Sequence, residues 1–194
     1  PHAALLSADD ADSLDASLFP AILKTARMGY DGKGQRSVNS IAETKAAFAE
    51  LGNRVCILEK RLSLAKEVSV IVVRSLTGQT VTFPLFENVH RNGILATTIF
   101  PARVSDEVSQ KVRDYAARIA ETLQYKGVLC IEFFVLTDGT VSANEMAPRP
   151  HNSGHVTIEA AVTSQFEQQV RAMTGLPLGD TSALCHGVML NLLG

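Results

Sequence analysis

Hydrophobic positions along the chain alternate in short runs more often than they recur at helical spacing. AILK (21–24), VCILEK (55–60), EVSVIVVRS (67–75), VTFPLFE (81–87) and GILATTIF (93–100) read as strands, rich in β-branched and aromatic residues. Pro84 predicts that its strand lies at an edge or ends there. GVLCIEFFVL (127–136) and TVSANEMA (140–147) flank Asp138-Gly139, a strong hairpin signal. Other segments take the helical period. Ser40 followed by Glu43 forms a capping box for a helix to about Leu51, which Gly52-Asn53 ends. Ser105 caps the longest helix, with Asp106 and Glu107 favoured at its positive end. Val108, Val112, Tyr115, Ala116, Ile119, Ala120 and Leu123 give that helix one apolar face. Residues 156–163 and 165–173 also read as helical, closed by Gly175 and Pro177, and the terminal LNLLG reads as strand. Mostly antiparallel strands with three or four helices predict an α+β chain.

The 194 residues suit one domain or two small ones, and 46% apolar with 20% charged residues is a globular composition. Lys and Arg total 18 against 20 Asp and Glu, a net charge of −2, which argues against a bulk electrostatic grip on nucleic acid or an anionic membrane. It leaves room for one small anion in one pocket. Cys56, Cys130 and Cys185 are few and widely spaced, without zinc-ligand spacing, so free thiols in a reducing cytosol are expected. No run of 18 apolar residues spans a membrane, and the acidic opening segment is no signal peptide. A start at Pro and a strand-like end predict a fragment of a longer protein.

Three places carry candidate chemistry. A two-residue turn at Asp138-Gly139 places Glu132 directly opposite Glu145, with Cβ atoms about 5 Å apart. Such a pair is destabilised unless it shares a proton or a cation, and paired carboxylates are how Mg²⁺ is usually held. The plainer reading is an exposed pair, or a register slip that separates them. The second place is the glycine stretch Met28–Gln35, which holds three glycines and Lys33 in GYDGKGQ. Its backbone N–H groups can close over phosphates, and Lys24 at the end of the preceding strand can point into the same site. It matches neither the Walker loop nor GxGxxG, and a simple flexible turn is the alternative. The third place is APRPHNSGH, which follows Glu145 and is rich in donors. Arg149 there can hold a carboxylate or phosphate in a fork. His90, read as lying between two strands, is by itself more often a surface histidine.

ILKTARMGYDGKGQ, LEKRLSLAKEVSVIVVR, FPLFENVHRNGIL and NEMAPRPHNSGHVTIEAAVTSQFEQQVRA resemble the ATP-grasp core of the 5-(carboxyamino)imidazole ribonucleotide synthases, a family of purine biosynthesis. The resemblance runs from about Phe19 to Gly194. It departs slightly at Ala26 and Met28, where many relatives carry Arg and Gly. It implies an ATP-grasp fold of two α+β subdomains on largely antiparallel sheets with nucleotide between them: a small lid subdomain at 1–60 and a large one at 61–194. The flanking N- and C-terminal domains of the parent protein are absent. It implies an ADP-forming carbon–nitrogen ligase using ATP, Mg²⁺ (or Mn²⁺) and bicarbonate. Carboxyphosphate would carboxylate 5-aminoimidazole ribonucleotide to its N5-carboxy form.

On matching positions, Lys24 and Gly29, Tyr30, Asp31, Gly32, Lys33, Gly34 and Gln35 would hold the ATP phosphates. Glu59, Lys60, Arg61 and Leu62 would contact adenine, Glu67 the ribose, and His90 and Asn144 other parts of the nucleotide. Glu132 and Glu145 would bind the metal, and Glu145 also the nucleotide. Tyr30, Asp31, Arg149, His151 and Asn152 would meet the substrate and bicarbonate, with Arg149 and Lys33 as catalytic cations. A cytoplasmic homodimeric parent, with no nucleic-acid or membrane partner, is implied, and an isolated core without turnover is compatible with it. The alternatives are another ATP-grasp ligase or transformylase of purine synthesis, and a non-catalytic ATP-binding module.

Overall fold

The computed structural model describes residues 1–27, 34–91 and 93–192. The chain divides into two units, Pro1–Ser63 with Asn92–Ile94, and Leu64–Arg91 with Leu95–Gly194.

The smaller unit is an antiparallel sheet and one helix. Strands β1 (His2–Leu5), β2 (Ala21–Thr25), β3 (Gln35–Val38) and β4 (Cys56–Lys60) lie in the order β1-β4-β2-β3. Helix α1 (Ile41–Glu50) starts at Ser40, whose hydroxyl accepts the Glu43 N–H. The Glu43 carboxylate reaches back one residue further than in a standard capping box, to the Asn39 N–H at 2.8 Å. Strand alternation buries Leu5, Leu23, Cys56 and Leu58 against Ala47 and Phe48 of α1. Because the period is two, Ile22, Lys24 and Glu59 share the opposite face, with Ile22 paired to Glu59 across the strands.

The larger unit is built on a seven-stranded sheet. Its strands are β5 (Leu64–Arg74), β6 (Thr80–Thr82), β7 (Phe86–Arg91), β8 (Ile94–Phe100), β9 (Gly127–Leu136), β10 (Val141–Ala147) and β11 (Gly187–Leu190). The order is β10-β9-β5-β7-β8-β11, with β6 paired to the far end of β5. Helix α2 (Asp106–Thr122) covers one face. There Val112, Ala116 and Ala120 pack on Val68, Val70 and Val72 of β5 and on Leu129, Ile131 and Phe133 of β9. The short α3 (Thr157–Ala160) and α4 (Gln165–Thr174) lie on the other face, against Ile71, Val73, Val128 and Cys130. A strand buried on both faces reads as a continuous apolar run, as EVSVIVV does. Within Val68–Val73 of β5 and in β9 the polar exceptions, Ser69 and Glu132, point to the second face and stand paired in the ladder.

Several sequence expectations change here. The turn between β9 and β10 is three residues, not two. The Leu136 N–H meets the Thr140 carbonyl, and Gly139 adopts φ +81°, which glycine reaches without a side-chain clash. The run 81–87 is not one strand: it stops at Thr82 and resumes at Phe86, since Pro84 donates nothing to a ladder. His90 therefore lies inside β7, not between strands. The helix expected at 156–163 shrinks to α3, because Ala161 turns extended and bridges to Ala183, and the Val162 N–H meets the Ser182 carbonyl. The terminal strand comes earlier than LNLLG, as β11. β1 and β3 carry too little apolar alternation to stand out in the sequence.

Candidate functional site

Glu132 is the only charged residue of β9. Near the turn, Val141 pairs with Val135 and Ala143 with Phe133; further along, Met146 pairs with Ile131 and Ala147 with Cys130. The register slips by one between Ala143 and Met146, so Asn144 and Glu145 together oppose Glu132. This is a β-bulge, a device that re-aims side chains beside functional sites. The expectation that Glu132 opposes Glu145 is met by two cancelling departures, a longer turn and a bulge.

Burial raises the Glu132 carboxyl to about 7, and the charges of Glu145 and Glu67 push the same way, against His90 and a hydrogen bond from Asn144. His90 Nδ1 lies 2.9 Å from Glu67 Oε2. That contact raises the His90 pKa most, and Glu132 and Glu145 add to it against burial. The approach lacks hydrogen-bond direction, so the buried Nδ1 has no directed partner among the described residues. Three carboxylates and a histidine thus share one surface, with negative charge in excess.

The RPHNSGH loop runs alongside. Arg149 is exposed and its Nη1 donates to the Pro150 carbonyl at 2.9 Å. Its positive charge adds to burial in pushing His151 down to about 4, so the imidazole is neutral. His151 Nε2 faces Glu132 Oε1 at 3.5 Å. Asn152 is half-buried and opens a turn of 3-10 helix at Asn152–Gly154. Two features around this loop were missed by sequence reasoning. Buried Gln165 grips the His151 backbone twice, accepting its N–H at 2.9 Å and donating to its carbonyl at 2.7 Å. Behind the loop, Ser153, Ser69, Asn88 and Thr98 form a buried polar chain with links of 2.8, 3.0 and 3.1 Å. A serine amid EVSVIVV was the available signal for it. Cys130, beside this chain, is pushed up to about 12 by burial first and by Glu132, so it is an inert thiol.

In the smaller unit, Lys24 Nζ and Glu59 Oε2 form an ion pair of 2.6 Å on the sheet face away from α1. Gln35 pairs with Lys24 in the ladder, and the Thr25 N–H to Gly34 carbonyl bond closes the β2–β3 connection at 2.9 Å. Lys60 ends β4, Arg61 donates its N–H to the Pro20 carbonyl, and Leu62 follows half-buried. Gly29, Tyr30, Asp31, Gly32 and Lys33 lie outside the described residues. Among the described residues, no three His, Cys, Asp or Glu side chains form a ready metal cage, and no helix is long and apolar enough to cross a membrane.

Comparison with known proteins places this geometry. The ATP-grasp domain model matches residues 3–166. The N5-carboxyaminoimidazole ribonucleotide synthase of Bacillus subtilis is 51% identical over 176 residues, 91% of this chain and 46% of that protein. The phosphoribosylaminoimidazole carboxylase of Ogataea methanolica is 41% identical, over 91% of this chain and 33% of that protein. An N5-carboxyaminoimidazole ribonucleotide synthetase solved with ADP superposes with a TM-score of 0.94 at 45% identity, over 100% of this chain and 52% of that one. The Aspergillus clavatus enzyme, solved with ADP and 5-aminoimidazole ribonucleotide, gives 0.91 at 32% identity, over 100% and 52%. The chain spans about half the length of the bacterial relatives it matches. With a family model covering most of its length and both sheets superposing on solved members, this chain belongs to the ATP-grasp domain family.

Proposed function

We propose that this chain is the core of an ATP- and bicarbonate-dependent ligase that carboxylates 5-aminoimidazole ribonucleotide on its exocyclic amine, through carboxyphosphate, releasing ADP and phosphate. The observation that carries the reading is the bulge that sets Asn144 and Glu145 against Glu132, beside Glu67, His90 and the locked RPHNSGH loop. Likeness to enzymes of that name, one solved with ADP and 5-aminoimidazole ribonucleotide, supports the substrate class.

The donor set fits Mg²⁺, or Mn²⁺ in its place: two carboxylates, one held up to about 7 by burial first and by the charges of Glu145 and Glu67, are what a hard divalent cation relieves. Glu132 and Glu145 would hold the cation, which would neutralise phosphate charge as the γ-phosphoryl group moves. The chain's own residues do the rest. Lys24 gives up Glu59 for the phosphates, which Gly29–Gln35 also hold, and Glu59 with Lys60, Arg61 and Leu62 hold adenine. Glu67 takes the ribose hydroxyls, and His90 and Asn144 orient the nucleotide. Arg149 and Lys33 stabilise charge at the transferred group, where positioning and electrostatics supply most of the catalysis. His151, neutral, presents an N–H to bicarbonate, Asn152 adds a donor, and Tyr30 and Asp31 face the imidazole. The reading carries with it a cytoplasmic, homodimeric enzyme with small-molecule partners only.

The test is ADP release by the protein carrying this chain. Release that requires both bicarbonate and 5-aminoimidazole ribonucleotide supports the reading; release with another amine, or nucleotide binding without release, overturns it.

A further inference from the structure

The buried polar chain behind His151 has a direction. The Ser153 backbone N–H, a donor in every protonation state, meets His151 Nδ1 at 3.3 Å. Nδ1 is therefore the accepting nitrogen and the proton sits on Nε2. The Ser153 hydroxyl, 2.9 Å from the same nitrogen, then donates to it as well. With its proton so placed, Ser153 Oγ accepts from Ser69, 2.8 Å away. Ser69 Oγ in turn accepts the Asn88 amide N–H at 3.0 Å, and Asn88 Oδ1 takes the Thr98 hydroxyl at 3.1 Å. Every hydroxyl and amide in the series has one consistent role, and none of Ser69, Asn88, Thr98 or Ser153 is more than 5% exposed.

Such a network is costly to place among Ile71, Val73, Phe86 and Cys130, and it is tolerated only when fully satisfied. Gln165 already pins the backbone of residue 151, so the chain is not needed to hold the loop. What it adds is control of the imidazole.

We propose that Asn88, Ser69 and Ser153 are positioning residues that, together with the Ser153 backbone N–H, hold the tautomer of His151, so that its Nε2–H is presented toward Glu132 and the anion beyond it. Asn88 sets the direction, because its amide must donate to Ser69 once Thr98 occupies its oxygen. The catalytic use of that N–H rests on the ligase reading above; the tautomer does not.

The experiment is nitrogen NMR of the histidine rings in the protein carrying this chain, with the His151 signal assigned by its loss in a His151→Asn variant. Native protein should show Nδ1 as an accepting nitrogen and Nε2 as protonated. Asn88→Asp keeps the shape but offers only acceptors once ionised, which reverses Ser69 and Ser153, withdraws the hydroxyl donor from Nδ1 and leaves the Ser153 backbone N–H alone to oppose the Nδ1–H form. Its Nδ1–H to Nε2–H ratio should rise at least about tenfold, the equivalent of one hydrogen bond. Ser153→Ala, which removes the last link alone, should raise the same ratio in the same direction. In the assay of turnover, Ser153→Ala should lower kcat about tenfold with the KM for ATP within about twofold. An unchanged tautomer in both variants, or a native protein with the proton on Nδ1, overturns the proposal. A tautomer that moves as expected sustains it whatever the substrate proves to be; failure of the native protein to turn over 5-aminoimidazole ribonucleotide strikes only the ligase reading.

Discussion

Glu132 should be a liability to the fold in the absence of cation, and replacing it should stabilise the protein in a pH-dependent way. Its carboxyl goes from an ordinary value of 4.5 to about 7 on folding. A raised carboxyl pKa means that the folded state binds the proton more tightly than the unfolded state. The stability it confers is therefore full below 4.5 and lost as pH rises through about 7. The difference of some two and a half units corresponds to about 3 kcal/mol at most, at 1.36 kcal/mol per unit. Glu132→Gln keeps the shape, the Asn144 contact and an acceptor for His151, and cannot ionise. The variant should then exceed the native protein by about 1–3 kcal/mol at pH 8 without divalent cation, and the gain should shrink toward zero near pH 4.5. Urea unfolding at the two pH values measures it, and comparing the proteins at equal pH cancels every other titration. A Gln variant that is less stable by the same amount at both pH values would refute the reasoning: Glu132 would then be held by its hydrogen bonds rather than opposed by burial and the charges of Glu145 and Glu67. A gain in stability with loss of function is the pattern expected where an active site stores like charge.

Three further outcomes follow from the same geometry. Arg149→Ala should leave ATP affinity within a few-fold and cut turnover by about 10²-fold, the scale of one lost charge-stabilising donor, with Lys restoring little. Equal losses in calorimetric ATP affinity and in turnover would make Arg149 a nucleotide ligand instead. Glu87, buried and held at about 2 chiefly by Arg103, with Lys66 at 3.0 Å, contributes stability above its ordinary 4.5 that is lost as pH falls through about 2. Glu87→Gln should therefore cost about 1–3 kcal/mol at pH 7, discounted because Arg103 is largely exposed, with the deficit narrowing in acid; a pH-independent deficit in urea unfolding would contradict this. At Gly154 an added Cβ would collide with Ile71 Cδ1 and the Gln165 amide, so Gly154→Ala should lower stability by about 1–3 kcal/mol and loosen the His151 loop; a thermal midpoint equal to native would show that the site can yield.

Local chemistry was legible in the linear chain. Ser40 and Ser105 cap the helices that follow them, because a hydroxyl and the N–H three residues on meet within one turn. The apolar runs of β5 and β9 announced strands, and a glutamate inside the second was conspicuous for that reason. The family, too, could be read from motif spelling alone. What the chain could not announce is whatever depends on register and on partners distant in sequence. The opposition of Glu132 to Glu145 hangs on a bulge, and a bulge answers to packing on both sides of a sheet rather than to any residue type. His90 became a strand residue because β7 lies between β5 and β8 in the sheet. The region after Val156 was helical in spelling, but an extended pairing with Ala183 cut the helix short. The chain from Thr98 to His151 joins residues from four separate segments, each unremarkable by itself. Hydrogen bonds over such separations exist only once hydrophobic burial has brought their partners together, so the sequence names the groups and tertiary structure alone gives the chain its direction.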